Sequence, residues 1–395
     1  MKALLVTPPL TQLNTPYPAT CHLLGFLHSR NHNAEQMDLG IELIGRLFTG
    51  TMLKRIFEVA SQHSRLSKAN RIILQQADFY IRTIDPVMRF LGGKDATLAQ
   101  RFCELTFWPE SKRLPSDEDL EWGFGLIGNY DRATHLCTLF LKDLCDFINS
   151  TIDPHFELIR YAESLCLRLP EFRPLQNELQ KPHTLIDTLM LDIFSQRMAL
   201  CKPDLVGFSV PFPGNLYSAL RCAQWIRQNF PQVKIVMGGG YVNTELRSLT
   251  DPALFDFIDY LVFDDGELPL LRIMDGGELI RTLYRDDAGA IIRVNFDNKE
   301  NIPFAESGTP SYEGLLQNNY INMIELTNPM HALWSNGKWN KLMLAHGCYW
   351  GKCAFCDGAQ DYLKRFDKAP VELIVDRMEA VIDQTGQTVF IFVDE

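Results

Sequence analysis

The sequence predicts an α/β fold built on a parallel sheet, with a long helical insertion after the second strand and a further strand–helix–strand unit beyond residue 340. Three observations carry this. Apolar strand-like runs alternate with helix-like stretches at the start of the chain and again after Asp204. Between them, from about 41 to 200, apolar residues recur at three- and four-residue steps, the helical period. From Lys341 the alternation of strand and helix returns.

Taken in order, the first strand covers 2–7, an apolar run ended by Pro8-Pro9, and a helix follows over about 19–30 with Leu23, Leu24, Phe26 and Leu27 apolar. A second strand at 34–38 is closed by Leu39-Gly40. In the insertion Leu136, Leu139, Phe140, Leu144, Phe147 and Ile148 mark one helix and 185–200 another, with breakers at Gly92-Gly93, Pro109, Pro115, Pro154, Pro170 and Pro174. No catalytic motif falls in it, and it is expected to be a structural cover over a ligand site. The sheet then resumes with a strand at 205–210, a helix at 216–229, and a strand at 234–237 running into Gly238-Gly239-Gly240. A helix at 251–257 and a strand at 260–263 lead to Asp264-Asp265-Gly266-Glu267. Residues 276–340 read as a connector, with a small hairpin (279–284 and 290–296) and prolines at 303 and 310. The last unit is a strand at 341–346, a helix at 370–385 and a strand at 388–393. The organisation expected is therefore 1–275, 276–340 and 341–395.

The 395 residues are enough for two or three cores, and 46% hydrophobic with 22% charged residues is ordinary for a globular chain. The net charge of -11 speaks against an unspecific nucleic-acid binder, which needs a basic face. No apolar run reaches the about 18 residues of a membrane span, and the opening run is too short for a signal peptide. Of ten cysteines, seven (Cys21, Cys103, Cys137, Cys145, Cys166, Cys201 and Cys222) are scattered singly, mostly among apolar neighbours, as buried cysteines are. A cytoplasmic location without a disulfide framework is the expectation.

The other three cysteines, Cys348, Cys353 and Cys356, form a C-x4-C-x2-C cluster on the loop after a strand. Thiolates this close can converge on one centre, and soft sulfur ligands select zinc or iron–sulfur. A structural zinc site needs a fourth ligand, for which Asp357 and His346 are nearby. Three ligands on a four-iron cluster would leave one iron open to a substrate.

The segment from His346-Gly347-Cys348 to Cys353-Ala354-Phe355-Cys356-Asp357 resembles the cluster loop of the radical S-adenosylmethionine superfamily, in its cobalamin-binding branch. The usual spacing there is one residue shorter between the first two cysteines, a departure the branch tolerates. The resemblance implies a [4Fe-4S] cluster whose open iron chelates S-adenosylmethionine, cleaved by one electron to a 5′-deoxyadenosyl radical. It implies that Phe355 lies near the adenine, and that Asp394 and Glu395, at the end of the following strand, hold the methionine amino group.

Ser209-Val210-Pro211 and Gly238-Gly239, at the ends of consecutive strands, resemble the S-x-L…G-G pattern of Rossmann-like cobalamin-binding domains, with Pro211 in place of leucine. There the serine meets the nucleotide tail and the glycines let it approach the backbone. Gly266 and Glu267 belong to a turn resembling the Gly-Glu-Gly-Glu turn of the branch, matching at two of four positions. The D-x-H-x-x-G motif that supplies a histidine to cobalt is absent. The near match Thr20-Cys21-His22-Leu23-Leu24-Gly25 lacks the aspartate and sits inside a helix, so His22 reads as a helix-face residue and cobalt is expected without a histidine below it. The implied function is radical methylation of an unactivated carbon on a small-molecule or peptide substrate, with cobalamin, S-adenosylmethionine and the cluster as cofactors. A flavodoxin- or ferredoxin-like donor would supply electrons. Non-methylating radical chemistry, a radical enzyme without cobalamin, and a non-catalytic cobalamin- or zinc-binding scaffold are the alternatives. Only the start of a radical-enzyme (β/α) partial barrel follows Lys341, so the chain alone is expected to complete no catalytic cycle.

Overall fold

The computed structural model describes residues 1–125, 128–159, 161–166, 172–328, 338–350, 352 and 361–393. Seven strands form the main sheet: β1 (Ala3–Thr7), β2 (Ala34–Asp38), β3 (Leu205–Ser209), β4 (Lys234–Gly238), β5 (Tyr260–Val262), β6 (Thr282–Arg285) and β7 (Ile291–Val294). Their order is β2-β1-β3-β4-β5-β6-β7; the first five are parallel, and β6 and β7 continue antiparallel. The hairpin expected in the connecting stretch is thus the edge of the main sheet. Strand order reverses between β1 and β3, and in open parallel sheets ligands bind at the carboxyl ends beside such a switch.

The pleat sorts the apolar side chains into two faces. Leu4, Val6, Val206, Phe208, Ile235, Met237 and Leu261 point to one face and join the larger core. Ala3, Leu5, Leu205, Val236 and Val262 point to the other. That second face is covered by α1 (Pro18–Ser29), through Leu24, Phe26 and Leu27, and by a helix at Glu267–Asp275, through Leu270, Ile273 and Met274.

The insertion is helical, and it lies against the first face. Its first helix, α2 (Leu39–Leu47), starts where a closing turn was expected. Asp38 caps it by accepting a hydrogen bond from Ile41 N–H (3.1 Å), and Ile41, Leu43, Ile44 and Leu47 are buried, so capping and burial outweigh the glycine at 40. The longest helix is α3 (Asn129–Thr151), and α4 (Leu185–Cys201) ends the insertion, packed on α2 and on α5 (Pro213–Asn229). A buried ion pair fastens it: Arg221 of α5 lies 3.4 Å from Asp187 of α4 and donates to Tyr217 Oη (2.9 Å) and to the carbonyls of Leu179 (2.6 Å) and Glu178 (3.1 Å). A helix at about 251–257 is instead a 3-10 turn, Pro252–Asp256.

Beyond the sheet, β8 (Asn340–Met343) pairs in parallel with β11 (Phe390–Val393) across the helix Val371–Thr385, a β-α-β unit. The expected strand 341–346 is split. After Met343 the chain leaves β8, and β9 (Ala345–His346) pairs antiparallel with β10 (Asp367–Lys368). Among the described residues no helix is long and apolar enough to cross a membrane.

Candidate functional site

A cavity of about 610 Å³ lies on the second face of the sheet, within the ~300–1,000 Å³ typical of ligand sites. Leu5, Gly207, Ser209, Val236, Gly238 and Val262, all of that face, form its floor. The start of α1 (Tyr17 to Thr20, then His22 and Leu23), the turn from Asp264 to Glu267, and Ile302, Phe304 and Ser307 form its sides. Met343, His346, Cys348, Lys352, Leu363, Lys364 and Arg365 face it from the last unit. Among the described residues none of 41–200 lines it; those of the insertion pack on the opposite face of the sheet and do not cover this cavity.

The five residues expected to meet cobalamin, Ser209, Gly238, Gly239, Gly266 and Glu267, all line this cavity. Ser209 and Gly238 are register partners on β3 and β4, and Val210 N–H donates to Gly238 O (2.7 Å). Gly239 has φ +111°, and a Cβ there would fall 2.8 Å from the backbone of Val210; only glycine fits. Gly207 leaves a gap in the middle of the floor, where a Cβ would lie 3.1 Å from Leu5 Cδ2. The sequence reading passed over it, although a glycine inside a strand is a signal of close backbone approach. Gly266 has φ -69° and precedes the helix Glu267–Asp275; its backbone makes no demand for glycine. Glu267 opens that helix and lines the cavity.

The turn before that helix is held by charge. Asp264 takes the left-handed conformation (φ +61°), its N–H donates to Asn243 Oδ1 (2.7 Å), and its carboxylate is paired with Arg247 and lies 3.6 Å from Arg281. Asp265 accepts from Arg365 (2.7 Å) and lies 3.3 Å from His346 Nδ1. Burial pushes the Asp265 carboxyl up, against the opposing pull of His346, Arg365 and Arg281. His22 is buried in α1, and its Nε2 has no hydrogen-bond partner. Desolvation, with repulsion from Arg377, lowers its imidazole to about 4, so it is neutral at ordinary pH.

Cys348 is exposed and faces the cavity. Cys353 and Cys356, the other two cluster candidates, lie outside the described residues, as do Phe355, Asp357, Asp394 and Glu395. Val393, the residue before Asp394, lines the cavity. The seven scattered cysteines are all buried and free, and burial raises the thiols of Cys21, Cys137, Cys145, Cys166, Cys201 and Cys222.

The cavity floor is apolar and glycine-lined, and its opposite wall offers the Cys348 thiol together with Lys352, Lys364 and Arg365. The residues that sequence reasoning missed are Gly207, Asp265 as a bridge, and Arg365, whose partner is distant in sequence.

No family model matches the chain, and no curated protein matches it. Among solved structures it is similar to the radical S-adenosylmethionine methyltransferase TsrM from Kitasatospora setae with cobalamin and a [4Fe-4S] cluster bound, at 18% identity and a TM-score of 0.32, over 53% of this chain and 40% of that one. It is similar to the same protein with tryptophan substrate and the S-adenosylmethionine analogue aza-SAM bound, at 16% identity and a TM-score of 0.34, over 52% and 39%. The chain spans about two fifths of the length of these structures.

Proposed function

We propose that this chain carries the cobalamin-binding part and the cluster loop of a radical S-adenosylmethionine enzyme, and that its reaction is radical methylation of an unactivated carbon. One observation supports this reading above the others: Ser209, Gly238 and Gly239 line the same cavity as Cys348, so two motifs far apart in sequence converge on one space. Ser209 and the two glycines would hold the nucleotide tail of cobalamin against the sheet. Cys348, with Cys353 and Cys356, would hold a [4Fe-4S] cluster. Bound there, these groups supply one-electron cleavage of S-adenosylmethionine and a transferable methyl group. The protein's part is to keep the floor apolar and to hold neutral, through His22, the side nearest α1. Cationic groups on the facing wall, Lys352 and Lys364, suit an anionic phosphate or carboxylate. An external flavodoxin- or ferredoxin-like donor and a small-molecule or peptide substrate complete the proposal.

A second reading has an observation of its own. A carboxylate on one ring nitrogen is common behind zinc-bound histidines, and Asp265 stands so behind His346, two residues before Cys348. Anaerobic reconstitution separates the two. The expected product binds about four irons and four sulfides, loses them in Cys348→Ala, and takes up cobalamin. Stoichiometric zinc with no cluster would decide for the scaffold reading.

A further inference from the structure

We propose that Asp265 is a positioning residue that ties the neck of the cluster loop, residues 344–350 and 361–368, to the cavity, so that filling the cavity steadies the neck. This rests on the reading that the loop carries the cluster and that the cavity takes cobalamin. The loop leaves and re-enters the fold through a narrow neck. Ala345 and His346 pair with Lys368 and Asp367, and Cys348 N–H donates to Leu363 O (3.3 Å). At Gly347, φ +71°, the two sides of the neck are in backbone contact: a Cβ would fall 1.7 Å from Arg365 O.

The neck fixes the loop's two ends to each other, and two carboxylates join it to residues that line the cavity. Asp367, on the neck, accepts from Phe304 N–H (2.9 Å), and Phe304 lines the cavity. Asp265, on the sheet side, takes one residue from each strand of the neck, His346 and Arg365. Its own backbone is immobilised between Asp264, held by Asn243 and Arg247, and the helix that starts at Glu267. The Asp265 side chain is 13% exposed, so its charge leans on these partners and not on water. Asp265, Gly266 and Glu267 line the cavity from one side, and His346, Cys348 and Arg365 from the other. A body that fills the space touches both ends of the bridge, and its binding and the closure of the neck must then share free energy.

The test is hydrogen exchange of peptides spanning 344–350 and 361–368 in the full chain, with and without hydroxocobalamin, in wild type, Asp265→Asn, Arg365→Met and Arg365→Lys. Without ligand, Asp265→Asn and Arg365→Met should exchange about tenfold faster at the neck, the loss of one charge-assisted hydrogen bond. Arg365→Lys, which keeps the charge, should stay close to wild type; a purely steric role for the arginine would not be rescued in this way. Cobalamin should slow neck exchange in wild type and Arg365→Lys, and bind Asp265→Asn without slowing it. Arg365 is partly exposed, so its variants keep the bridge testable even where Asp265→Asn fails to fold. Neck exchange unchanged in Asp265→Asn and Arg365→Met overturns the inference. Wild type that binds no cobalamin overturns the proposed function, while the ligand-free comparison still reads the bridge.

Discussion

The two faces of the sheet are built to opposite ends. On the insertion face Leu4, Val6, Val206, Phe208, Ile235 and Met237 meet apolar partners, and the buried Arg221 is matched by Asp187, Tyr217 and three carbonyls. On the cavity face the sheet gives up side chains at Gly207 and Gly238, and polar atoms are left over around the rim. Of the buried side-chain atoms with no hydrogen-bond partner, His22 Nε2 and Arg365 Nε belong to residues that line the cavity. Buried polar atoms without partners cost free energy and are rare in folded chains. Two of them face the open space of the cavity, where an added group could reach them. The insertion face is filled by the chain's own side chains; the cavity face keeps an open space.

The largest test of that division is Arg221→Met. Removing one partner of a buried ion pair leaves Asp187 uncompensated, which costs about 3–5 kcal/mol. Urea unfolding should show that loss, while cobalamin affinity of the folded fraction stays unchanged. A variant that keeps its stability and loses cobalamin would merge the two faces into one.

Much of this was legible in the sequence, for identifiable reasons. Apolar runs such as 3–7 and 205–209 are buried on both sides of the sheet, so their signal is strong. Ser209 and Gly238–Gly239 each stand at the end of an apolar strand run, a local signal, and they meet at one cavity; of the cysteine trio only Cys348 lies among the described residues. The partnership of Asp265 with His346 and Arg365 has no local signal, because its members are separated by long stretches that no periodicity spans. The face chosen by the insertion was illegible for a similar reason. Helical periodicity in α3 says that one stripe is buried, but not against what. The Leu39-Gly40 turn was misread because a glycine signals a break, whereas Asp38 caps a helix whose next apolar residues pack inward. The strand expected at 341–346 is broken because β8 has β11 as partner while Ala345 and His346 turn to β10.

The second test uses acid. His22 titrates near 4 in the folded chain and near its ordinary 6.5 when unfolded, so the unfolded state takes up a proton first as pH falls. Its contribution to stability is intact above about 6.5 and is lost progressively as pH falls through about 4. His22→Gln should therefore reduce the stability lost between pH 7.5 and 4.5 by about 2–3 kcal/mol, measured as the difference between the variant's urea curves and those of wild type. A cavity-face residue then limits acid stability, as the leftover polar atoms predict. An unchanged pH dependence would mean that His22 finds a partner on folding, and would remove it from the set.

The smallest effect is the sharpest, because it compares two glycines on the same rim. Gly239 sits at φ +111° and ψ 178°, a conformation essentially reserved for glycine, and its Cβ would also press on the Val210 backbone. Gly239→Ala should cost about 2 kcal/mol of stability and any cobalamin affinity besides. Gly266 is different. It is helical, and a Cβ would meet Leu23 Cδ2 at 3.5 Å, an ordinary contact. Gly266→Ala should change stability by less than about 0.5 kcal/mol. If cobalamin affinity nonetheless falls in Gly266→Ala, the glycine is there for the ligand's approach and not for the fold, as the resemblance to the Gly-Glu-Gly-Glu turn implies. If affinity and stability are both unchanged, the ligand keeps to the floor between Ser209 and Gly239, and the turn from Asp264 serves the bridge through Asp265 instead.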